Sequence, residues 1–200
     1  MTAVPKRKLT AEEYLAIERD AEFKSDFYDG VMYSMAGASI EHNRVKENLA
    51  RELGNRLVDG PCECLSSDQR VLINRTGLYT YPDIVIVCNP IERASHDANT
   101  IVNPRIIFEV LSPSTERYDR DVKLRHYGQI ESLQEYILVS QDVPQIHRLV
   151  RQTDGTWSLK VFHGIEETFS LTSLPIEIPL AKIYRNVTFP EVVPPRGDTP

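Results

Sequence analysis

The stretch RIIFEVLSPST, residues 105–115, sets a glutamate, Glu109, inside an otherwise apolar run. The large apolar residues on either side of it predict a strand that is covered on both faces of a sheet. A carboxylate taken out of water without a partner costs several kcal/mol. The chain must therefore supply Glu109 with a cation, a metal ion or a proton, or leave that end of the strand open to solvent.

A second carboxylate, Asp83, stands at the start of another apolar run, YPDIVIV, residues 81–87. Two carboxylates on neighbouring strands at one end of a sheet provide the oxygen ligands that a hard divalent cation such as Mg²⁺ prefers. Such a cation would also compensate the charge of Glu109. We expect Lys123, on a following helix, to orient or deprotonate a water at that metal, an arrangement suited to phosphodiester hydrolysis.

The rest of the pattern predicts an α/β chain. Thr10 and Glu13 have the form of a capping box that opens a helix to about Arg19, and the Asp29-Gly30 pair predicts a hairpin. Ser39 is placed to cap a second helix over residues 40–57, and a third helix is expected over 116–128. Strands are predicted by apolar or alternating runs near residues 69–73, 82–87, 105–111, 135–139, 145–150 and 156–162.

Composition bounds the classes of function. With 200 residues, 41% hydrophobic and 26% charged, the chain predicts one globular domain over residues 1–189, followed by a disordered proline-rich tail over 190–200. The net charge of -6 argues against a tight, non-specific nucleic-acid binder. It leaves room for an enzyme that holds DNA through a local basic cleft and metal ions. Basic residues on the second and third helices provide a phosphate strip or, alternatively, a solvated face balanced by acids.

The three cysteines and the absence of a long apolar run indicate the compartment. Cys62, Cys64 and Cys88 are an odd number in a chain of this size, so we expect small, inert residues in a reducing environment. No apolar run approaches the roughly 18 residues of a membrane span. We therefore expect a cytoplasmic protein with no membrane contact.

The order of these motifs resembles one known family. Pro82-Asp83, the segment EVLSPST from Glu109, Asp119-x-x-x-Lys123-x-x-x-Tyr127 and Glu135-Tyr136 are similar to the Uma-two family of restriction-endonuclease-like proteins. That family belongs to the PD-(D/E)XK nuclease superfamily. The similarity extends to the N-terminal part, where Asp26-x-x-x-Gly30 and His42 match a Glu-x-x-x-Gly segment and a following histidine, and it spans about residues 10–140.

The resemblance implies a restriction-endonuclease-like fold, with a central mixed sheet flanked by helices, often in a homodimer. It implies Asp83 and Glu109 as ligands of Mg²⁺, with Mn²⁺ as a substitute, and Lys123 as a catalytic lysine moved to the helix. Asp26 stands where relatives carry a glutamate that reaches the metal or its water. His42 and Tyr127 are expected to contact the substrate or support the ligands.

Three departures from the family pattern bear on these roles. Position 111 is leucine, so the usual Glu-x-Lys spacing is absent, a migration that the family shares. Asp26 is one methylene shorter than the glutamate of relatives, which restricts it to contact through water. Relatives carry Tyr-Trp followed by an aspartate where this chain has Tyr136 to Ser140, a segment expected to lie outside the metal site.

Each site residue also has a structural alternative. Asp83 suits a strand cap, and Glu109 suits a salt bridge to Arg105 or Lys123. Lys123 alone suits a solvated helix pair with Asp119.

The remaining three positions have alternatives of the same kind. His42 suits a hydrogen-bonded packing role, and Tyr127 suits the core. Asp26 suits the Asp29-Gly30 hairpin.

Three functions are therefore carried forward. The first is a metal-dependent endonuclease that hydrolyses DNA with Asp83, Glu109, Lys123 and Asp26. The second is an inactive member of the fold that binds nucleic acid or a protein partner. The third is a hydrolase of small phosphorylated substrates at the same metal.

Overall fold

The computed structural model describes residues 7–35 and 37–190. Of the tail predicted for residues 190–200, only Pro190 lies within the described residues, so the boundary at residue 189 stays a prediction. None of the helices in the described ranges is long and apolar enough to span a membrane.

Fourteen strands and a few helices make up the described chain. The helical elements are α1 (Ala11–Arg19), α2 (Ile40–Leu57), a π-helical segment (Tyr118–Lys123) that runs directly into α3 (Leu124–Tyr127), and α4 (Leu180–Ile183). The strands are β1 (Ser25–Tyr28), β2 (Val31–Ser34), β3 (Cys62–Ser66), β4 (Arg70–Ile73), β5 (Leu78–Thr80), β6 (Ile84–Cys88), β7 (Arg93–Ala94), β8 (Asp97–Ile101), β9 (Pro104–Leu111), β10 (Glu135–Ser140), β11 (Gln145–Arg151), β12 (Trp157–His163), β13 (Thr168–Ser170) and β14 (Glu177–Pro179).

The main sheet has six strands in the order β12-β11-β10-β9-β6-β3. It is mixed, because β9 and β10 pair in parallel whereas β6 pairs antiparallel with both β9 and β3. The strands β6 and β9 are buried along nearly their whole length, as their apolar runs predict. The mixed α/β architecture expected from the sequence is confirmed.

The two faces of the main sheet are covered by different layers. Val45, Leu49 and Leu53 of α2 form a buried stripe, in one cluster with Ile106 and Phe108 of β9. On the opposite face, Ile107 packs in a cluster with residues of β4, β5 and α3. This second layer includes another six-stranded sheet, in the order β2-β1-β5-β4-β8-β7, which the sequence did not predict. Strands of two to five residues such as β5, β7 and β8 are too short to show a clear period.

Local signals at the start of the chain are confirmed. Thr10 caps α1, and Glu13 completes the capping box. In the hairpin between β1 and β2, Asp29 and Gly30 have φ angles of 48° and 77°, the left-handed conformation that a two-residue turn requires. A Cβ at Gly30 would also meet the side chain of Lys8 at 2.4 Å, so both the φ angle and the close contact with Lys8 favour glycine at this position.

The prediction that all three cysteines are inert, unpaired residues is wrong for two of them. Cys62 and Cys88 form a disulfide, with Cα atoms 3.9 Å apart. They lie directly opposite each other in the antiparallel register of β3 and β6, a proximity that their separation of 26 residues does not reveal. Cys64 is free, and burial raises the pKa of its thiol to about 11.

Candidate active site

Alternation along β9 decides where the carboxylate of Glu109 points. Phe108 and Val110 belong to the cluster that α2 covers, whereas Ile107 and Leu111 belong to the cluster on the opposite face. Because successive side chains of a strand point to opposite faces, Glu109 shares the second face with Ile107 and Leu111. Its side chain is only 4% exposed, so a buried carboxylate faces the layer that contains the π-helical segment and α3.

The chain itself supplies the cation that Glu109 requires. Nζ of Lys123 donates to Oε1 of Glu109 at 2.9 Å, and the hydroxyl of Tyr127 donates to the same oxygen at 2.8 Å. Arg105, the other cation considered from the sequence, donates to the carbonyl of Ser173. The salt bridge of Glu109 with Lys123 is therefore present, and Tyr127 supports the carboxylate from within the core.

Asp83 lies immediately before β6 and is joined to β9 by its side chain. Its Oδ2 accepts a hydrogen bond from the backbone N–H of Val110 at 2.8 Å and lies 3.3 Å from Nε2 of His42. Since Val110 follows Glu109, the two carboxylates stand on adjacent strands at one end of the sheet. His42 contacts a site residue directly, so its position near the apolar stripe of α2 is compatible with a role at the site.

A third carboxylate, Asp119, completes the surroundings of Lys123. Its Oδ1 lies 3.0 Å from Nζ of Lys123, and both side chains are buried. The sequence showed this pair but suggested a solvated helix face. Tyr136 donates its hydroxyl to the backbone carbonyl of Asp119 at 3.0 Å. Tyr136 therefore packs against the helical segment that carries Lys123, whereas the prediction that residues 136–140 lie outside a metal site stays a prediction.

The π-helical geometry of Tyr118–Lys123 was not predicted, although the i, i+4 pair of Asp119 with Lys123 was. Short π-helical segments occur frequently at functional sites. Here the segment contains Asp119 and Lys123 and also places the ring of Tyr118 with its centroid 5.8 Å from the lysine Nζ. The ammonium is thus held between two carboxylates and an aromatic face.

Asp26, on β1, is largely buried and takes part in the same electrostatic environment. Its Oδ1 is buried and has no hydrogen-bond partner among residues 7–35 and 37–190. Burial raises the pKa of Asp26, and the positive charge of Lys123 opposes that rise. The hydroxyl of Thr80 and the backbone N–H of Tyr81 also lower the pKa of this carboxyl group, against the effect of burial.

The site carries more negative than positive charge. Burial raises the pKa of Glu109 to about 8, with the charge of Lys123 opposing the rise and those of Asp119 and Asp83 adding to it. Burial also raises the pKa of Asp83, but the contact with His42, the N–H of Val110 and the charge of Lys123 together outweigh that effect, and the pKa is lowered overall. Burial alone would lower the pKa of Lys123, yet Glu109 and Asp119 hold it well above its usual range. Lys123 is therefore a cation here, suited to donating hydrogen bonds rather than to removing a proton.

The fit to a divalent cation follows from this donor set. Among the described residues, no three His, Cys, Asp or Glu side chains already stand together as a metal site. Mg²⁺ does not require such a cage, because it usually keeps several waters and binds one or two carboxylates together with substrate phosphates. Asp83 and Glu109 meet that requirement, and the orphaned oxygen of Asp26 offers a partner for a bound water.

Most basic residues considered for a phosphate strip are paired with acids. The pairs are Arg44 with Glu41, Arg56 with Glu52, Arg120 with Glu116, and Arg125 with Asp121. These arginines favour the interpretation of a balanced, solvated helix face. A cavity of about 650 Å³ lies elsewhere, lined in part by Asp68, Arg70 and Tyr81, and none of the carboxylates at Lys123 borders it.

Comparison with known families identifies the family of this chain. Residues 11–181 match the family model Uma2, described as "Putative restriction endonuclease". The chain belongs to the Uma2 family. Two proteins of Synechocystis sp. (strain ATCC 27184 / PCC 6803 / Kazusa) are similar to it. Uncharacterized protein slr1290 is 35% identical over 94% of this chain and 97% of its own length, and uncharacterized protein sll1609 is 34% identical over 82% and 93%.

A solved structure supports the fold of this Uma2 protein. The crystal structure of "a putative nuclease belonging to DUF820" from Anabaena variabilis ATCC 29413 superposes with a TM-score of 0.72. The match covers 88% of this chain and 97% of that one, at 16% sequence identity. The predicted restriction-endonuclease-like fold is confirmed.

Proposed function

We propose that this Uma2 protein is a metal-dependent endonuclease that hydrolyses phosphodiester bonds of DNA. The observation that carries the proposal is the meeting of Asp83, Glu109 and Lys123 at one end of the main sheet, although they are far apart in sequence. The family description and the nuclease fold support the same class of reaction.

A homodimer, the assembly implied by the family resemblance, would present two such sites, and sedimentation of the purified chain would test it.

Asp83 and Glu109 are the residues that would hold Mg²⁺, or Mn²⁺ in its place. When bound, the ion would act as a Lewis acid on a phosphate oxygen and make a coordinated water more acidic. His42 holds the carboxylate of Asp83, and Tyr127 holds that of Glu109, so the two groups keep their relative positions. Such supporting contacts orient the groups that bind a metal.

Lys123 contributes a fixed positive charge. Because Asp119 also forms an ion pair with its ammonium, Lys123 would stay in place when Glu109 binds a metal ion. Its N–H groups can then donate to an oxygen of the scissile phosphate or to the attacking water, where negative charge develops in the transition state. Asp26 would accept a hydrogen bond from that water through its free oxygen.

A cleavage assay tests the proposal. We expect purified protein with Mg²⁺ or Mn²⁺ to cut plasmid, linear or single-stranded DNA, and EDTA to stop the reaction. Asp83→Asn keeps an oxygen that can accept from the Val110 N–H but removes the charge, and we expect it to lose cleavage. Cutting that survives this substitution would identify a contaminant and contradict the proposal.

Two other functions of the fold give different outcomes. An inactive DNA-binding member would associate with DNA at low salt and leave it intact, which the net charge of -6 and the internal pairing of Lys123 would accommodate. A hydrolase of small substrates would turn over phosphomonoesters and spare the polymer.

The pH dependence of cleavage follows from Glu109. A metal ion binds the ionised carboxylate, and the pKa of Glu109 is raised to about 8 by burial. Protons therefore compete with the ion below that pH. At a subsaturating Mn²⁺ concentration we expect the cleavage rate to rise between about pH 6 and pH 8.5 and to level off above it. Saturating Mn²⁺ should move the rise to lower pH, and a rate independent of pH across this range would contradict the assignment.

A further inference from the structure

The N-terminal half of α2 presents two polar side chains to the candidate active site. His42 reaches Asp83, and Lys46, four residues later, has its Nζ 3.2 Å from Oγ of Ser67. Residues four apart lie on one face of a helix, so both side chains extend toward the same side. The backbone N–H of Ser67 donates to the carbonyl of Asp83 at 2.9 Å, which places the ammonium of Lys46 beside the strand end that carries the site.

A second lysine arrives at the same residue from another part of the chain. Lys24, just before β1, donates from Nζ to the carbonyl of Ser67 at 2.8 Å and pairs with the carboxylate of Asp68. The same Nζ lies 5.6 Å from the centroid of the Tyr81 ring. Two ammonium groups thus contact Ser67, whose backbone N–H donates a hydrogen bond to the carbonyl of Asp83.

The acids that pair with these two lysines are weak partners. The side chain of Asp68 is 88% exposed, and Glu47, 3.4 Å from Nζ of Lys46, is 62% exposed. Ion pairs of this kind contribute about 0–1 kcal/mol, because water screens them and the side chains lose freedom. Lys46 itself is only 12% exposed, so it is a mostly buried cation, and its shortest polar contact within the described residues is with the neutral hydroxyl of Ser67.

We propose that Lys24, Lys46 and the hydroxyl of Ser67 form a subsite for a phosphodiester of DNA next to the one that is cut. This inference rests on the proposed function, because it assigns the subsite to the same substrate. A phosphate would replace two weak, exposed carboxylate contacts with one anion shared by both ammonium groups.

The test is DNA binding without cleavage. The probe is a fluorescein-labelled DNA duplex, and fluorescence anisotropy with the full chain in EDTA is measured over a series of salt concentrations. Removing one phosphate contact should weaken binding and lower the slope of log affinity against log salt by about one. We expect this for Lys24→Gln and for Lys46→Gln, whereas Lys46→Arg should retain most of the binding.

Matched substitutions separate the subsite from net charge. Lys182→Gln removes the same charge from α4, where the side chain is 55% exposed, and should leave the slope unchanged. Asp68→Asn removes the exposed competitor of Lys24 and should strengthen binding. Circular dichroism establishes folding, and Lys24→Gln, at a side chain 38% exposed, tests the subsite even where Lys46→Gln fails to fold.

The outcomes distinguish this inference from the proposed function. Binding that depends on the two lysines in a protein that never cuts DNA would support the subsite and reject the nuclease. Cleavage with an unchanged KM and salt slope in Lys24→Gln and in folded Lys46→Gln would reject the subsite and keep the nuclease. Absence of DNA binding by the wild-type chain at low salt would overturn the subsite as well.

Discussion

Lys123→Met is expected to slow DNA cleavage ~10²–10³-fold and to destabilise the fold. Methionine fills a similar volume but leaves the buried carboxylates of Glu109 and Asp119 facing each other without their shared cation. Removing one partner of a buried ion pair costs about 3–5 kcal/mol of unfolding free energy. The substitution also removes a hydrogen-bond donor positioned for the negative charge of the transition state, which lowers the rate of DNA cleavage ~10²–10³-fold. Urea denaturation at pH 8 and single-turnover cleavage measure the two effects.

The control for this substitution is Lys182→Met. Lys182 is 55% exposed and pairs with Glu52 at 3.6 Å, so its loss should change the unfolding free energy by about 0–1 kcal/mol and leave cleavage intact. The destabilisation of Lys123→Met should also shrink as the pH falls, because protonation of Glu109 removes one of the unpaired charges. A stable Lys123→Met protein with wild-type cleavage would contradict both the buried pairing and the role of the lysine.

Glu109→Gln is expected to reduce cleavage without reducing stability, whereas Lys123→Met reduces both. The amide keeps an oxygen that accepts from Tyr127, and Lys123 keeps Asp119. Burial raises the pKa of Glu109 in the folded chain from 4.5 to about 8, so the protein loses stability as the pH rises between these two values. Above pH 8 a neutral glutamine should therefore give a stability equal to or greater than that of the wild type. Cleavage should nevertheless fall at least ~10²-fold, because the ion loses one of its two carboxylates.

Thermal unfolding with and without Mn²⁺ shows whether this loss is one of metal binding. An ion present at ~100 times its Kd stabilises the folded chain by about 2.7 kcal/mol. We expect that stabilisation in the wild type and not in Glu109→Gln. Glu116→Gln is the matched control, since Glu116 is 49% exposed in a helical pair with Arg120 and its loss should leave the Mn²⁺ effect unchanged. Equal stabilisation of all three proteins would show that the ion binds elsewhere.

The sequence predicts the parts of this site that depend on local pattern. The apolar runs containing Glu109 and following Asp83 identify the two central strands, and the motif order places Lys123 on the helix that faces them. The capping box at Thr10 and the turn at Asp29-Gly30 are also local signals, since their geometry is set within a few residues.

Features that depend on distant pairing escape the sequence. Asp119 forms an i, i+4 pair with Lys123, and such a pair has the same spacing whether it faces water or a buried glutamate. The partnership of Cys62 with Cys88 depends on the register of β3 and β6. Lys24 belongs to no recognisable sequence motif, and only folding brings it to Ser67 beside Lys46. In each case the deciding quantity is which elements become neighbours.

The central claim is that Asp83 and Glu109 together hold a divalent cation within reach of Lys123. Crystals of the wild-type chain grown with Mn²⁺, with data collected near the manganese absorption edge, test it most directly. The account predicts an anomalous difference peak at coordination distance from both carboxylates, with Lys123 still held by Asp119. Manganese bound elsewhere, or no peak beside these carboxylates at an Mn²⁺ concentration that supports cleavage, would contradict it.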